Sequence, residues 1–183
     1  MIFFTADTHF NHSRIIKYCN RPFKSVDEMN GEMIKRWNNK ISNKDVVYHL
    51  GDFCFSRGNT GISNIKKFRY QLNGKIHLII GNHDDEDNCI DSNCFESVKH
   101  LSQIKIDGQK ITLCHYSMRV WNASHYGSWQ LYGHSHGVLP DIGGLTFDVG
   151  VDRFDFCPLS FDEVKDIMAT RNKIMLGNDG HYQ

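Results

Sequence analysis

The sequence predicts an α/β fold of mixed, α+β character on three observations. Short apolar runs of strand length recur, each ending abruptly in a polar residue or a glycine-led cluster. Between the first three runs lie segments with apolar residues at helical spacing, the alternation expected of a parallel, right-handed βαβ arrangement. After about residue 94 the texture changes to closely spaced strands.

In chain order, Ile2-Phe3-Phe4-Thr5-Ala6 comes first and runs into Asp7-Thr8-His9. A helix is predicted from Ser25, with Glu28 at capping-box spacing and Val26, Met29, Met33, Ile34 and Trp37 making one apolar face that reads as core. Val46-Val47-Tyr48-His49-Leu50 leads into Gly51-Asp52. Over about 62–70, Ile62, Ile65 and Phe68 mark a second helix, with Lys66, Lys67 and Arg69 on a solvated face. Ile76-His77-Leu78-Ile79-Ile80 then leads into Gly81-Asn82-His83-Asp84. Residues 97–106 and 110–114, joined at Asp107-Gly108, read as a hairpin whose second strand ends at His115. Runs at 129–132 and 145–149 continue the pattern, the first ending at Gly133-His134-Ser135-His136. Ser160 with Glu163 opens a last capped helix carrying Val164, Ile167 and Met168 inward. One domain is expected over residues 1–170, and a weakly ordered tail over 171–183.

A length of 183 residues suits one domain with a sizeable core. Lys and Arg number 21 against 21 Asp and Glu, and this zero balance removes the broad electrostatic footprint of a protein that coats duplex nucleic acid, while leaving room for a small basic groove. The cysteines, at 19, 54, 89, 94, 114 and 157, form no C-x-x-C pair and follow no secretory apolar region, so they read as reduced thiols of a cytoplasmic protein rather than as zinc-finger ligands. No apolar run approaches the roughly 18 to 20 residues of a membrane span. The 11 histidines are the compositional oddity.

Five strand runs finish in candidate ligands, and in an open α/β sheet the carboxyl ends of the strands converge on the ligand crevice. The collected set is Asp7, His9, Asp52, Asn82, His83, His115, His134 and His136. Oxygen donors mixed with imidazoles suit Mn, Fe, Zn or Ni better than Ca or Mg. The set is too large for one tetrahedral ion and sufficient for two that share a carboxylate. Asp7 with His9, and His134 with His136, have the offset that puts side chains on one side of an extended chain. The glycines before Asp52, Asn82 and His134 fit sharp turns that let groups crowd an ion.

Asp7-Thr8-His9, Gly51-Asp52, Gly81-Asn82-His83-Asp84, His115 and Gly133-His134-Ser135-His136 resemble, in order, the D-x-H, G-D, G-N-H-[DE], H and G-H-x-H signature of the calcineurin-like metallophosphoesterase superfamily, and the flanking His9-Phe10-Asn11-His12 and His115-Tyr116-Ser117 with Trp121 resemble its small bacterial and phage members. The resemblance implies a four-layer α/β/β/α sandwich of two mixed sheets flanked by helices. It implies that Asp7, His9 and His136 bind one divalent transition-metal ion and Asn82, His115 and His134 a second, with Asp52 bridging; Mn is the foremost choice, with Ni, Zn and Fe as alternatives. It further implies that a hydroxide bridging the ions attacks phosphorus in line while His83, not itself a ligand, protonates the leaving oxygen. Asp84 would orient His83 or cap a helix.

The other histidines divide differently. His49 and His77 sit inside strand runs and read as core or edge residues, and His100 reads as surface. Asn11 and His12 either touch substrate, with Arg14 nearby, or cap the following helix, and His125 is a further candidate for substrate contact. The leading function is a phosphodiesterase acting on a small or nucleotide-like phosphodiester; a phosphomonoesterase and a nuclease rank behind it, and extended nucleic acid and membranes are not the expected partners. A non-catalytic metal-binding scaffold is the competing class, and the retention of both His83 and Asp52 argues against it.

Overall fold

The computed structural model describes residues 1–55, 58, 60–141 and 143–172. The apolar runs form β1 (Ile2–Thr5), β2 (Val46–His49), β3 (Lys75–Ile79), β4 (Ser97–Lys99), β5 (Leu101–Ile106), β6 (Gln109–Cys114), β7 (Trp129–Tyr132), β8 (Thr146–Asp148) and β9 (Leu159–Ser160). They build one sheet in the order β4-β3-β2-β1-β9 and another in the order β5-β6-β7-β8. The first is parallel except for β9, and the second joins a β5–β6 hairpin to parallel β6, β7 and β8.

The helices are α1 (Ser13–Tyr18), α2 (Val26–Lys40), α3 (Gly61–Arg69), α4 (Glu86–Asp91) and α5 (Phe161–Ala169). One face of the first sheet, through Phe3, Val47, Ile76 and Leu78, packs with Met29, Met33 and Trp37 of α2 and Ile65 and Phe68 of α3. Burying each such side chain stabilises the fold by roughly 1.5–3 kcal/mol. The other face, through Phe4 and Ile79, meets Ile111, Leu113, Leu131 and Phe147 of the second sheet, with Val164 and Met168 of α5 in the same core. Two sheets packed together and flanked by helices give the α/β/β/α layering expected from the resemblance.

Local chemistry sets the element boundaries. Ser25 caps α2 by accepting from Glu28 N, whereas the Glu28 carboxylate reaches Lys24 N, so only half of the expected capping box forms there. Ser160 and Glu163 make the full reciprocal box at α5. The run expected as one strand over 97–106 is two. Residues 97–99 continue the first sheet in parallel with β3, and after His100 the chain enters the second sheet, where Asp107 (φ 48°) and Gly108 (φ 85°) turn the β5–β6 hairpin. On the face of β7 opposite Trp129 and Leu131, buried Gln130 donates to Tyr116 O and accepts from Met118 N and Thr146 Oγ1, fastening the β6–β7 connection over the sheet.

Arg171, the first residue of the expected tail, donates to Gly144 O at 2.8 Å and pairs with Asp141 at 2.7 Å; residues 173–183 of that tail lie outside the described residues. The six cysteines are free thiols, and among the described residues no helix is long and apolar enough to cross a membrane.

Candidate metal centre

The centre lies where the strands of both sheets run out. Asp7 and His9 follow β1, Asp52 follows β2, Asn82 and His83 follow β3, His115 follows β6, and His134 and His136 follow β7. All eight sequence candidates meet there. The chain at the paired offsets is not extended, however. Asp7 (φ 58°), His9 (φ 50°), Asp52 (φ 57°), His134 (φ 69°) and His136 (φ 46°) are all left-handed. This conformation costs a non-glycine residue about 1–2 kcal/mol, and Asp, Asn and His bear it best. It turns each side chain out of its strand direction, so His134 and His136 part: the His134 ring lies 5.2 Å from His115, and the His136 ring stacks 5.2 Å from His9.

Hydrogen bonds lock the turns together. Asp7 N donates to Gly51 O and His9 N to Asp52 O, both at 2.9 Å, while the Asp7 carboxylate accepts from His134 N. Asp52 Oδ1 accepts from His83 N at 2.8 Å, and its Oδ2 faces His9 Nε2 at 3.3 Å and His115 Nε2 at 3.6 Å. Asn82 Oδ1 lies 3.1 Å from His115 Nε2 and 2.8 Å from His134 Nδ1. Two glycines admit this crowding. A Cβ on Gly81 would stand 2.3 Å from Asp52 Oδ1, and one on Gly51, itself at φ +95°, would stand 2.5 Å from His115 Nδ1.

Among the described residues, three groups have all their donor atoms within 4.8 Å of one another: Asp7, His9 and His136; Asp7, Asp52 and His115; and Cys19, His136 and Asp152. The chemistry of these donors fits cations. His115 Nδ1 lies 2.7 Å from Leu50 O and must donate to it, so in the neutral ring Nε2 is a lone pair facing two oxygens, an unfavourable arrangement that a cation between them relieves. His9 Nε2 is buried and has no hydrogen-bond partner. Burial first, then the positive charges of His136 and Arg21, push the His9 imidazole far below its ordinary range, so the ring is neutral and its nitrogens are available as ligands. Burial and then, against the lowering effect of His136, the charges of Asp148 and Asp52 push Asp7 well above the carboxylate range. Divalent ions would reverse that penalty.

Several residues outside the eight candidates shape the centre. The Asp84 carboxylate neither orients His83 nor caps a helix: it accepts from Asp52 N at 2.8 Å, Phe53 N at 2.9 Å and Gly81 N at 2.9 Å, clasping two ligand turns, while Asp85 caps α4. Asp152 Oδ2 holds His136 Nδ1 at 2.7 Å and is itself gripped by Arg21 through two 2.8 Å bonds. Arg21 also donates to Asp7 O and Thr8 O. Asp148 accepts from Ser135 Oγ, Gly137 N and Gly150 N, shaping the loop that carries His134 and His136. Asp148 has a readable signal, an acidic residue near the end of the 145–149 run. Arg21 has none.

The remaining histidines also find their places. His49 Nε2 meets Thr8 Oγ1 at 2.9 Å inside the core, His77 meets Ser97 Oγ at 2.9 Å, and exposed His100 pairs with Glu86. His12 makes no capping bond to α1; its ring lies against His9, His83 and Phe55, within the centre. Arg14 is exposed on α1. His125 sits on the Ser124–Tyr126 turn, whose neighbour Gly127 accepts from Gln109 at the opposite end of β6 from His115. Six strand residues at about 3.3 Å each separate that end from the centre. His125 therefore does not reach substrate bound there.

Residues 1–145 match the family described as the calcineurin-like phosphoesterase superfamily domain. The chain is 33% identical over 184 aligned residues to an uncharacterized protein of Methanocaldococcus jannaschii, covering 97% of each. It is 33% identical over 82 residues to the gene 66 protein of Mycobacterium phage L5, covering 44% of this chain and 38% of that one. Its fold matches that of a protein of unknown function from Aquifex aeolicus with a TM-score of 0.71 at 22% identity, covering 91% of this chain and 98% of the other. With donor clusters of Asp and His assembled at the strand ends of a two-sheet sandwich, and with the family match spanning most of its length, the chain belongs to the calcineurin-like metallophosphoesterase superfamily and is a metal-dependent phosphoesterase.

Proposed function

We propose that the chain is a dinuclear phosphodiesterase acting on a small or nucleotide-like phosphodiester. Asp7, His9 and His136 would hold one ion, Asn82, His115 and His134 the other, and Asp52 would serve both. The observation that carries this reading is the position of Asp52 Oδ2 between two bare imidazole nitrogens, His9 Nε2 at 3.3 Å and His115 Nε2 at 3.6 Å. Bound there, two divalent ions, Mn foremost, supply an activated water and neutralise charge on the phosphoryl oxygens.

The chain's own groups do the rest. Asp152, clamped by Arg21, accepts a hydrogen bond from the Nδ1–H of His136 and so aims its Nε2 inward. His83 is anchored by its backbone on Asp52, its half-buried ring beside that of His9, where a general acid reaches the leaving oxygen. Two features support a diester. Asn82 and His134 are exposed, so the crevice is open to a substrate with an organic group on either side of phosphorus. Arg21 is 4% exposed and spends its donors on protein acceptors, so the added cation that a doubly charged monoester would draw on is not supplied by that side chain. A comparison of bis-aryl with mono-aryl phosphate, using Mn, Ni and Zn in turn, tests the reading. Faster turnover of the diester with at least one metal is expected; turnover confined to the monoester would overturn it.

A further inference from the structure

We propose that His12 works in two directions at once: its Nδ1 accepts a hydrogen bond from the Nδ1–H of His9, fixing His9 as an Nε2 metal ligand, and its Nε2–H is presented to the phosphoryl group beside His83. This rests on the two-ion reading above and adds a residue that neither the motif signature nor the ligand set contains.

His9 Nδ1 and His12 Nδ1 lie 3.3 Å apart, so one donates and the other accepts. His9 Nε2, buried with no hydrogen-bond partner and 3.3 Å from Asp52 Oδ2, is the nitrogen directed at the bridging carboxylate. A neutral imidazole that offers Nε2 as a lone pair carries its proton on Nδ1. That proton points at His12. His12 Nδ1 must then be bare, and its own proton resides on Nε2, which diverges from the bonded edge.

The ring is held in place for this. Its centroid lies 5.2 Å from His9, 5.7 Å from His83 and 5.7 Å from Phe55, and it is only half-buried. As the residue just before α1, its side chain is free of capping duty. His12 and His83 would therefore bracket the reacting group, one as a neutral hydrogen-bond donor and the other as the proton source.

Amide substitutions separate the two tasks, because an Asn oxygen takes the place of Nδ1 and a Gln nitrogen the place of Nε2. His12→Asn should keep Mn affinity within about threefold of wild type, yet slow diester turnover at saturating Mn by ~100-fold, as loss of a donor to a developing charge does. His12→Gln should weaken Mn binding ~10- to 100-fold, as loss of a partner behind a ligand does, and turn over faster than His12→Asn once saturated. His12→Phe should show both defects; if it does not fold, the Asn and Gln contrast stands alone. Independently of activity, nitrogen-resolved NMR of the Zn-loaded protein should find His12 Nδ1 bare and Nε2 protonated. A protonated His12 Nδ1 in protein that carries two ions, or equal Mn affinities for the Asn and Gln variants, would overturn the role of His12 while leaving the two-ion reading intact. Wild type that takes up no ion would overturn both.

Discussion

The Asp84 clasp ties the turns after β2 and β3 together, and its removal should cost a large share of the fold's stability. Replacing Asp84 with Ala strips three backbone N–H groups, of Asp52, Phe53 and Gly81, of their acceptor. An unsatisfied buried donor costs about 1–3 kcal/mol, and a water entering the vacated space would offset part of it, so a loss of about 3–5 kcal/mol is expected. That is a large fraction of the 5–15 kcal/mol typical of a domain.

Asp84→Asn separates charge from shape. Its amide oxygen can still accept from Asp52 N and Gly81 N, which share one oxygen in the native turn, while its amide nitrogen meets the Phe53 donor. It should lose about half as much as the Ala variant at pH 5. The pH dependence is distinctive. Burial first, and then the negative charge of Asp52, raise the Asp84 carboxyl to about 7, so in metal-free protein its ionisation opposes folding: the penalty is absent below the ordinary carboxylate range, grows as pH rises, and is complete above about 7. The gap between wild type and Asp84→Asn should therefore narrow between pH 5 and 8 in chelator. Urea unfolding at both pH values measures it. A loss under ~1 kcal/mol for Asp84→Ala, or a gap that widens with pH, would show that the Asp84 carboxylate does not hold the two turns together.

Three further outcomes follow from the same geometry. His83→Ala should retain two ions by elemental analysis but turn over ~100- to 10,000-fold more slowly, and wild-type activity in that variant would remove its acid role. Gly81→Ala places a Cβ 2.3 Å from Asp52 Oδ1, so a lower melting temperature and impaired Mn uptake are both expected; unchanged Mn affinity would show that the turn yields without moving Asp52. Although burial pushes His136 down, its hydrogen bonds to Asp152 and Cys19 and the charge of Asp7 hold it up at about 10. In metal-free protein its charge thus contributes stability that is fully present below the ordinary imidazole range and is lost as pH rises through about 10, and an ion held by His136 as proposed would displace its Nε2 proton. Calorimetry in buffers of different ionisation heat should register proton release on Mn binding at pH 7, with affinity falling as pH falls; binding without proton release would contradict the ion pair.

The metal centre shows what kind of signal a sequence carries. Each candidate ligand was readable because it stands where an apolar run stops, and a strand end is a local event written in consecutive residues. The reason for their convergence was readable too, since strands packed side by side must end together. The residues that orient the ligands were mostly not readable. Arg21 and Asp152 lie 131 positions apart, and nothing around Arg21-Pro22 marks it as the partner of a carboxylate beyond β8. Asp84 was visible as part of Gly81-Asn82-His83-Asp84, but its acceptor role depends on the 51–53 turn arriving alongside, which is a property of β2 and β3 in parallel register.

The alternation of strands and helices, the hairpin at Asp107-Gly108, the apolar faces of α2 and α5, and the set of candidate ligands that meet at the strand ends were all legible in the sequence alone, because each is a short-range pattern of hydrophobicity, turn chemistry or side-chain type. Tertiary structure decided where the 97–106 run breaks between two sheets, since that depends on which neighbour each half can pair with. It also decided the left-handed turns that send His134 and His136 to different halves of the centre, and the proton orientation of His115. Backbone strain at a residue persists only when the surrounding packing holds it, and a ring nitrogen becomes a ligand only when a distant carbonyl claims the proton on the other. Neither condition is written within a few residues of the group it governs.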